Sequence, residues 1–135
     1  MNAMKKAVRY FSKLGNTRTI AEAIAEGAGV TAVSITDAPQ LTEYVDILYL
    51  GGAPYANIMA PELKTYAENL DASKVGKVVL FTTSNWSKRT VLALKKLLRK
   101  KGFTVEDEYF YAHMLHIQGR IDAARAFGKG NGLNN

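Results

Sequence analysis

Apolar runs of strand length alternate with helical patterns along this chain, and this alternation limits the folds open to it. Five runs rich in β-branched and aromatic residues predict strands over 5–11, 30–35, 44–50, 77–83 and 103–111. The stretches between and after them predict helices over 18–26, 40–44, 62–70, 88–101 and 120–127, of which 40–44 has room for only a short one. We therefore expect an α/β fold, a doubly wound five-stranded parallel sheet between two layers of helices.

Composition limits the chain to a few classes of protein. With 135 residues and 47% hydrophobic content, residues 1–135 fit one domain, in which we expect the tail 128–135 to be irregular. The sequence contains no cysteine, which excludes disulfides, thiolate-bound iron–sulfur clusters and thiol nucleophiles. No apolar run reaches the length of a signal peptide or a membrane span, so we expect a cytoplasmic protein without a membrane partner.

The chain is basic, with a net charge of +6. Much of the excess lies in the helix predicted over 88–101, on one polar side that is usually a solvated face. A basic surface is compatible with an acidic protein, a phosphorylated ligand or nucleic acid. No platform of mixed aromatic and basic residues supports nucleic acid, so we do not expect that partner.

The first strand leads through a short polar loop into the first helix. This loop holds Ser12, Lys13, Leu14, Gly15, Asn16 and Thr17. In a parallel sheet the backbone N–H groups of such a loop and of the first helical turn point above the strand ends, where they can bind a phosphate. Hydroxyl and amide side chains can add hydrogen bonds, and Lys13 and Arg18 can offset negative charge. The same residue types also cap helices, so the loop alone fits either role.

Two further loops follow the third and fourth strands. The first of them contains Pro54, Tyr55, Ala56 and Asn57, and the second contains Ser84, Asn85 and Trp86 after Thr83. All three polar loops open on the carboxyl edge of the predicted sheet, where doubly wound folds bind ligands. Tyr55 and Trp86 can flank a planar ring, although each also fits a packing role. The three loops together predict one site for a phosphorylated aromatic cofactor.

These three loops resemble those of the flavodoxin family, and the likeness extends over nearly the whole chain. The most specific match is the stretch from Tyr10 to Thr17, similar to that family's phosphate loop. The stretches from Leu50 to Tyr55 and from Phe81 to Trp86 are similar to its second and third flavin loops. The resemblance implies a flavodoxin-like three-layer sandwich with strand order 2-1-3-4-5 that binds FMN non-covalently.

The resemblance also implies a role for each loop. Ser12, Asn16 and Thr17 would bind the phosphate, and Thr83 and Ser84 would lie near the ribityl chain and the ring. Tyr55 and the Ala56-Asn57 peptide would lie on the inner side and N5 edge of the flavin, with Trp86 on its outer face. The full candidate set is Ser12, Lys13, Leu14, Gly15, Asn16, Thr17, Pro54, Tyr55, Ala56, Asn57, Thr83, Ser84, Asn85 and Trp86.

The sequence departs from the family at two points that bear on function. Leu14 stands where the family usually has a threonine, which removes one hydroxyl donor. The second loop has no acidic residue between Gly51 and Pro61, and Lys88 and Arg89 follow the third, whereas family members are usually acidic around the flavin. We therefore expect a redox partner with an acidic surface. We expect the chain itself to be a monomer or a weak dimer.

Three functions fit these features. The first is an electron carrier that transfers one or two electrons between redox partners. The second is an FMN oxidoreductase that acts on a quinone or a porphyrinogen, and the third is an interaction domain without a flavin. His113 and His116 have the spacing of a metal pair on a helix, but no carboxylate or thiol completes a site, so we expect packing or surface roles for them.

Overall fold

A computed structural model describes residues 4–130 of the chain. Its strands are β1 (Lys6–Phe11), β2 (Ala32–Ser34), β3 (Val45–Gly52), β4 (Pro54–Tyr55), β5 (Ile58–Met59), β6 (Val75–Ser84) and β7 (Val105–His113). Its α-helices are α1 (Asn16–Ala28), α2 (Pro61–Asn69), α3 (Arg89–Lys100) and α4 (Ile121–Gly128). Of the tail predicted to be irregular, Gly128 ends α4, and residues 131–135 lie outside the described part.

Five strands form one parallel sheet in the order β2-β1-β3-β6-β7. If the five are numbered in chain order, this is 2-1-3-4-5, so the predicted sheet is confirmed. Val8 of β1 pairs with Ala32 of β2 on one side and with Tyr49 of β3 on the other. The chain changes direction across the sheet between β1 and β3, and in folds of this kind that point holds the ligand.

Helices cover both faces of the sheet. On one face, Ile20 and Ile24 of α1 and Phe127 of α4 pack with Val8 and Tyr49. On the other face, α2 and α3 cover the alternate strand residues through Leu63, Leu94 and Leu98, which pack with Leu48 and Leu80. Because successive strand side chains point to opposite faces, a sheet covered on both sides is apolar at nearly every position. This arrangement is the three-layer sandwich.

The predicted helix over 40–44 is wrong. Residues 40–44 form neither helix nor strand, and the connection from β2 to β3 is irregular. Five residues after Pro39 are too few to repay the cost of starting a helix, because nucleation fixes several residues for one hydrogen bond. Four α-helices therefore cover the described sheet, and β2 is reduced to three half-buried residues at its edge.

Other boundaries differ from the prediction by a few residues, and three differences matter for the site. α1 begins at Asn16 rather than residue 18, which brings Asn16 and Thr17 into its first turn. The predicted loop over 53–61 contains a small antiparallel hairpin, β4–β5, in which Tyr55 pairs with Ile58. β7 ends at His113 rather than at residue 111, so His113 and His116 do not share a helix as their spacing suggested.

The last strand lies at an edge of the sheet and carries charge, as predicted. Asp107 accepts a hydrogen bond from the Arg99 guanidinium of α3 at 2.8 Å, and this bond lowers the pKa of the carboxyl. Charged side chains on an edge strand prevent pairing with other chains. Within residues 4–130, no helix combines the length and the apolar character needed to cross a membrane.

Candidate functional site

A cavity of about 380 Å³ opens where β1, β3 and β6 end. This volume lies within the range of small-molecule pockets, roughly 300–1,000 Å³. The first, second and third loops and the segment after β7 surround it. Its lining consists of Ser12, Leu14, Asn16, Thr17, Ala53, Pro54, Tyr55, Asn57, Thr83, Ser84, Asn85, Ser87 and Met114.

The structure brings together most of the residues singled out from the sequence. Lys13, Gly15, Ala56 and Trp86 belong to the same three loops but do not line the cavity. Three lining residues were missed: Ala53, Ser87 and Met114. Ala53 and Ser87 adjoin predicted positions, so a wider window would have included them. Met114 follows a strand that was expected to end earlier, and no sequence signal pointed to it.

The N-terminus of α1 faces this cavity without a side-chain cap. The helix begins after Gly15, whose φ of 97° requires the left-handed region that glycine adopts freely. No side chain among the described residues caps the first turn, so the alternative that Ser12, Asn16 or Thr17 only cap the helix is wrong. Ser12 Oγ instead accepts a hydrogen bond from the Gly15 N–H at 3.0 Å. The N–H groups of the first turn therefore remain available to an anion.

A buried pair of hydroxyls fixes the floor between the first and third loops. Thr17 Oγ1 and Thr83 Oγ1 are 2.7 Å apart, and both residues are almost fully buried. Buried hydroxyls are stable only when they are hydrogen-bonded, so each fixes the rotamer of the other. This contact connects the end of β6 to the first turn of α1.

Tyr55 connects the first two loops. Its hydroxyl accepts a hydrogen bond from the Lys13 backbone N–H at 2.9 Å, and Lys13 Nζ lies 4.7 Å from the centre of its ring. Phe11 contacts the same ring edge-on with centroids 6.3 Å apart. The ring of Tyr55 is therefore held in place as a wall of the cavity. Lys13 is engaged with this ring, while Arg18 pairs with Glu22 at 3.2 Å along the outside of α1.

The tip of the β4–β5 hairpin has an unusual backbone. Ala56 and Asn57 form its two-residue turn with φ of 52° and 61°. Positive φ at both positions is typical of a type I′ turn, which usually takes Asn-Gly or Asp-Gly. Asn tolerates this region, but the Cβ of Ala56 makes it unfavourable there. Asn57 Oδ1 accepts a hydrogen bond from Ser87 Oγ at 2.8 Å, which joins the hairpin to the third loop.

The third loop holds Trp86 in a strained conformation. Its φ of 74° is rare for a bulky residue, and its backbone N–H donates a hydrogen bond to the Tyr111 hydroxyl at 2.9 Å. The indole is 76% exposed and contacts the His113 ring edge-on at 4.8 Å between centroids. Its neighbours in sequence, Asn85 and Ser87, line the cavity. Backbone strain of this kind concentrates at functional sites.

The lining of the cavity is uncharged. Among the described residues, those that surround it include both uncharged polar side chains, such as Asn16 and Asn85, and apolar ones, such as Leu14 and Met114. His113 and His116 lie outside it, with ring centroids 5.3 Å apart. Within residues 4–130, no cluster of three or more His, Asp or Glu side chains could hold a metal ion.

Several solved structures share this architecture. A WrbA-like flavodoxin from Agrobacterium tumefaciens superposes with a TM-score of 0.77 at 23% identity, over 95% of this chain and 94% of that one. A flavodoxin from the domain Archaea gives a TM-score of 0.81 at 19% identity, over 94% of this chain and 95% of that one. A short-chain flavodoxin associated with a bacterial microcompartment gives 0.70 at 17% identity, over 94% and 96%. No protein-family model and no curated protein matches the chain. The fold is flavodoxin-like, as the sequence predicted.

Proposed function

We propose that this chain binds FMN non-covalently and carries electrons between redox proteins. The observation that carries the proposal is the uncapped N-terminus of α1, which faces a cavity that is partly lined by apolar and aromatic side chains. FMN combines an anionic phosphate, which suits the helix N-terminus, with a flat aromatic ring, which suits the apolar and aromatic side chains. The flavodoxins with the same fold support this ligand, as does the agreement in chain length with them.

The residues of the chain fit the two ends of FMN. The free N–H groups of the first turn of α1 bind the phosphate, with Ser12 and Asn16 beside them. Tyr55 and Leu14 enclose the ring, which loses water on binding. Thr83 and Ser84, which line the cavity at the end of β6, are assigned to the ribityl chain.

The protein positions the ring for electron transfer and shields one side from water. When bound, FMN supplies one- and two-electron redox chemistry. Leu14 in the lining is 79% exposed, and Trp86 and Leu115, each next in sequence to a lining residue, are 76% exposed. A second protein can approach the cavity across these apolar side chains. This open mouth favours an electron carrier over an enzyme with an enclosed substrate pocket.

The first experiment compares FMN with riboflavin, which lacks the phosphate. We expect the fluorescence of FMN to be quenched at a 1:1 ratio of FMN to protein. Riboflavin should bind roughly a hundredfold more weakly or worse, since it lacks the charge-assisted hydrogen bonds of the phosphate, which contribute on the order of 1.5–3 kcal/mol each. Flavin fluorescence measures both affinities. Asn16→Asp places a like charge beside the phosphate and should weaken FMN by about tenfold or more, but not riboflavin.

Asn69→Asp is the matched control for this variant. Asn69 lies at the far end of α2, is exposed, and undergoes the same change of charge. Equal effects of the two variants, or equal binding of FMN and riboflavin, would contradict the placement of the phosphate. Without FMN binding at tens of micromolar, the chain would be an interaction domain on this fold.

An FMN oxidoreductase acting on a quinone or a porphyrinogen is the second candidate. The uncharged lining of the cavity favours it, because an apolar quinone can enter without removing water from a charged side chain. Repeated turnover of a quinone with NADPH by the FMN-loaded protein would support an enzyme. A single stoichiometric oxidation of the reduced protein supports the carrier.

A further inference from the structure

A second groove lies behind the hairpin that forms one wall of the FMN cavity. Its volume is about 740 Å³, and it runs between β5, the start of α2 and the exposed side of α3. Met59, Ala93 and Leu97 form an apolar floor. Ile58 at its edge is 57% exposed, which leaves apolar surface open to solvent.

Lysines surround this apolar floor. Lys64 projects from α2, and Lys96 and Lys100 from α3; all three are exposed. Within residues 4–130, none of them has a carboxylate within ion-pair distance, whereas Lys95 and Arg99 on the neighbouring side of α3 pair with Asp107. The lysines that line the groove are thus exposed and without an ion pair among the described residues.

Two further exposed cations lie at the end of α3 that follows the third loop. Lys88 and Arg89 lie at the N-terminus of α3, which contains no acidic residue in its first turn. Cations at this end oppose the helix dipole and so destabilise the helix. The chain thus has positive charge where helix stability alone would favour acids. A binding role accounts for that charge.

The β4–β5 hairpin separates the groove from the cavity. Tyr55 and Asn57 line the cavity, and Ile58 and Met59 line the groove. Whatever occupies the groove therefore contacts the outer side of the hairpin whose inner side faces the FMN. Docking here brings a partner within a few side chains of the redox centre.

We propose that this groove docks an acidic segment of the redox partner protein, an inference that rests on the proposed function. Carboxylates of the segment pair with Lys64, Lys96 and Lys100, and its apolar side chains cover Met59 and Leu97. Complementary charge accelerates association and fixes orientation. The buried apolar floor then slows dissociation.

The test measures electron transfer from the reduced FMN-loaded protein by stopped flow. The acceptors are the acidic haem protein cytochrome b5 and the basic cytochrome c, both of which accept electrons from a reduced flavin. We expect the rate with the acidic acceptor to fall as salt is added, and to fall by about tenfold or more in the double variant Lys64→Glu/Lys96→Glu at low salt. The same variant should react faster with cytochrome c.

The matched control is Lys5→Glu/Lys129→Glu, which changes net charge equally at two exposed lysines away from the groove. Equal loss in both double variants would make the effect one of net charge and overturn the groove. An acidic acceptor whose rate is insensitive to salt would overturn it as well. Circular dichroism and FMN quenching on every variant establish that each is folded and loaded.

The outcomes separate the two proposals. Missing FMN quenching in the unaltered protein removes the proposed function and the groove's role together. If FMN is quenched normally but the electron-transfer rate is unchanged in Lys64→Glu/Lys96→Glu, only the docking role of the groove is overturned. If a fluorescein-labelled DNA oligonucleotide binds the protein at physiological salt and this binding is lost in Lys64→Glu/Lys96→Glu, the groove binds nucleic acid and the proposal of a protein partner is wrong.

Discussion

At the scale of single residues, the tip of the β4–β5 hairpin is where the chain departs from local preference. Ala56 occupies the first position of the turn with φ of 52°, although alanine disfavours this region by about 1–2 kcal/mol. The strain is maintained by the surroundings, since Tyr55 is held by Lys13 and Asn57 by Ser87. The hairpin is therefore a stressed wall of the cavity.

Ala56→Gly should stabilise the protein by about 1 kcal/mol, because glycine reaches positive φ without the Cβ clash. Urea unfolding measures the gain. Ala53→Gly is the control: Ala53 has no positive φ, so glycine there only adds freedom to the unfolded chain and should destabilise. A loss of stability in both variants would show that the turn is not strained at Ala56.

This hairpin also shows where prediction from sequence stops. The residue types of the second loop indicated a ligand loop, and Pro54, Tyr55 and Asn57 of that loop line the cavity. The turn itself was not predicted, because Ala-Asn lacks the glycine that normally marks a two-residue hairpin. The positive φ of Trp86 was not predicted either, since no sequence signal indicates such a conformation at a bulky residue. Tertiary hydrogen bonds impose both conformations.

At the scale of elements, α1 and α4 pack unusually closely. A Cβ at Gly27 would lie 1.9 Å from the Arg125 carbonyl oxygen, and one at Gly128 would lie 1.9 Å from the Ile24 carbonyl oxygen. The two glycines let the helix backbones touch. This explains why α1 continues through Gly27, where the sequence indicated its end, and terminates instead at Gly29.

Gly27→Ala and Gly128→Ala should each destabilise the protein by about 2 kcal/mol or more, because the added methyl forces two backbones apart. Thermal or urea unfolding checks this. Gly119→Ala provides the comparison, since a Cβ there meets no atom within 4 Å and the backbone is not left-handed. If all three variants were equally stable, the close crossing of α1 and α4 would not contribute to stability.

Element types followed from the sequence wherever periodicity was strong. The five strands of the main sheet were predicted, and four of the five predicted helices are present, because each of these elements buries one side or both sides in a regular pattern. The failure at 40–44 came from a stretch too short to carry a pattern. His113 was misplaced because β7 carries three acids in its middle, which hid how far the strand extends.

At the scale of the whole molecule, two buried tyrosines report on the two faces of the sheet. Tyr49 packs on the side of α1 and α4, and Tyr66 on the side of α2 and α3. Burial raises the pKa of both hydroxyls above the ordinary value. The folded state therefore retains these protons at a pH where the unfolded chain releases them.

The free energy of unfolding should consequently fall as the pH rises above about 10, and be unaffected by these groups below it. Tyr66→Phe should make this alkaline decline shallower. Urea unfolding at a series of pH values measures the slope. Tyr44→Phe serves as the control, because Tyr44 is 49% exposed rather than buried. An unchanged slope in Tyr66→Phe would rule out its contribution.

The convergence of the three loops was also predictable, since the carboxyl ends of parallel strands share one edge. What the sequence could not provide is the distance between the loops, on which the Thr17–Thr83 and Asn57–Ser87 contacts depend. Those contacts join residues 66 and 30 positions apart. Only the assembled sheet brings them within reach.

The irregular connection from β2 to β3 affects how the molecule fluctuates. β2 contributes three half-buried residues and pairs only with β1, while β3 is almost wholly buried and paired on both sides. Local opening therefore begins at β2, and its amide protons exchange with solvent long before those of β3. The loops that line the cavity follow β1, β3 and β6. Local opening of the β2 edge therefore leaves the site intact.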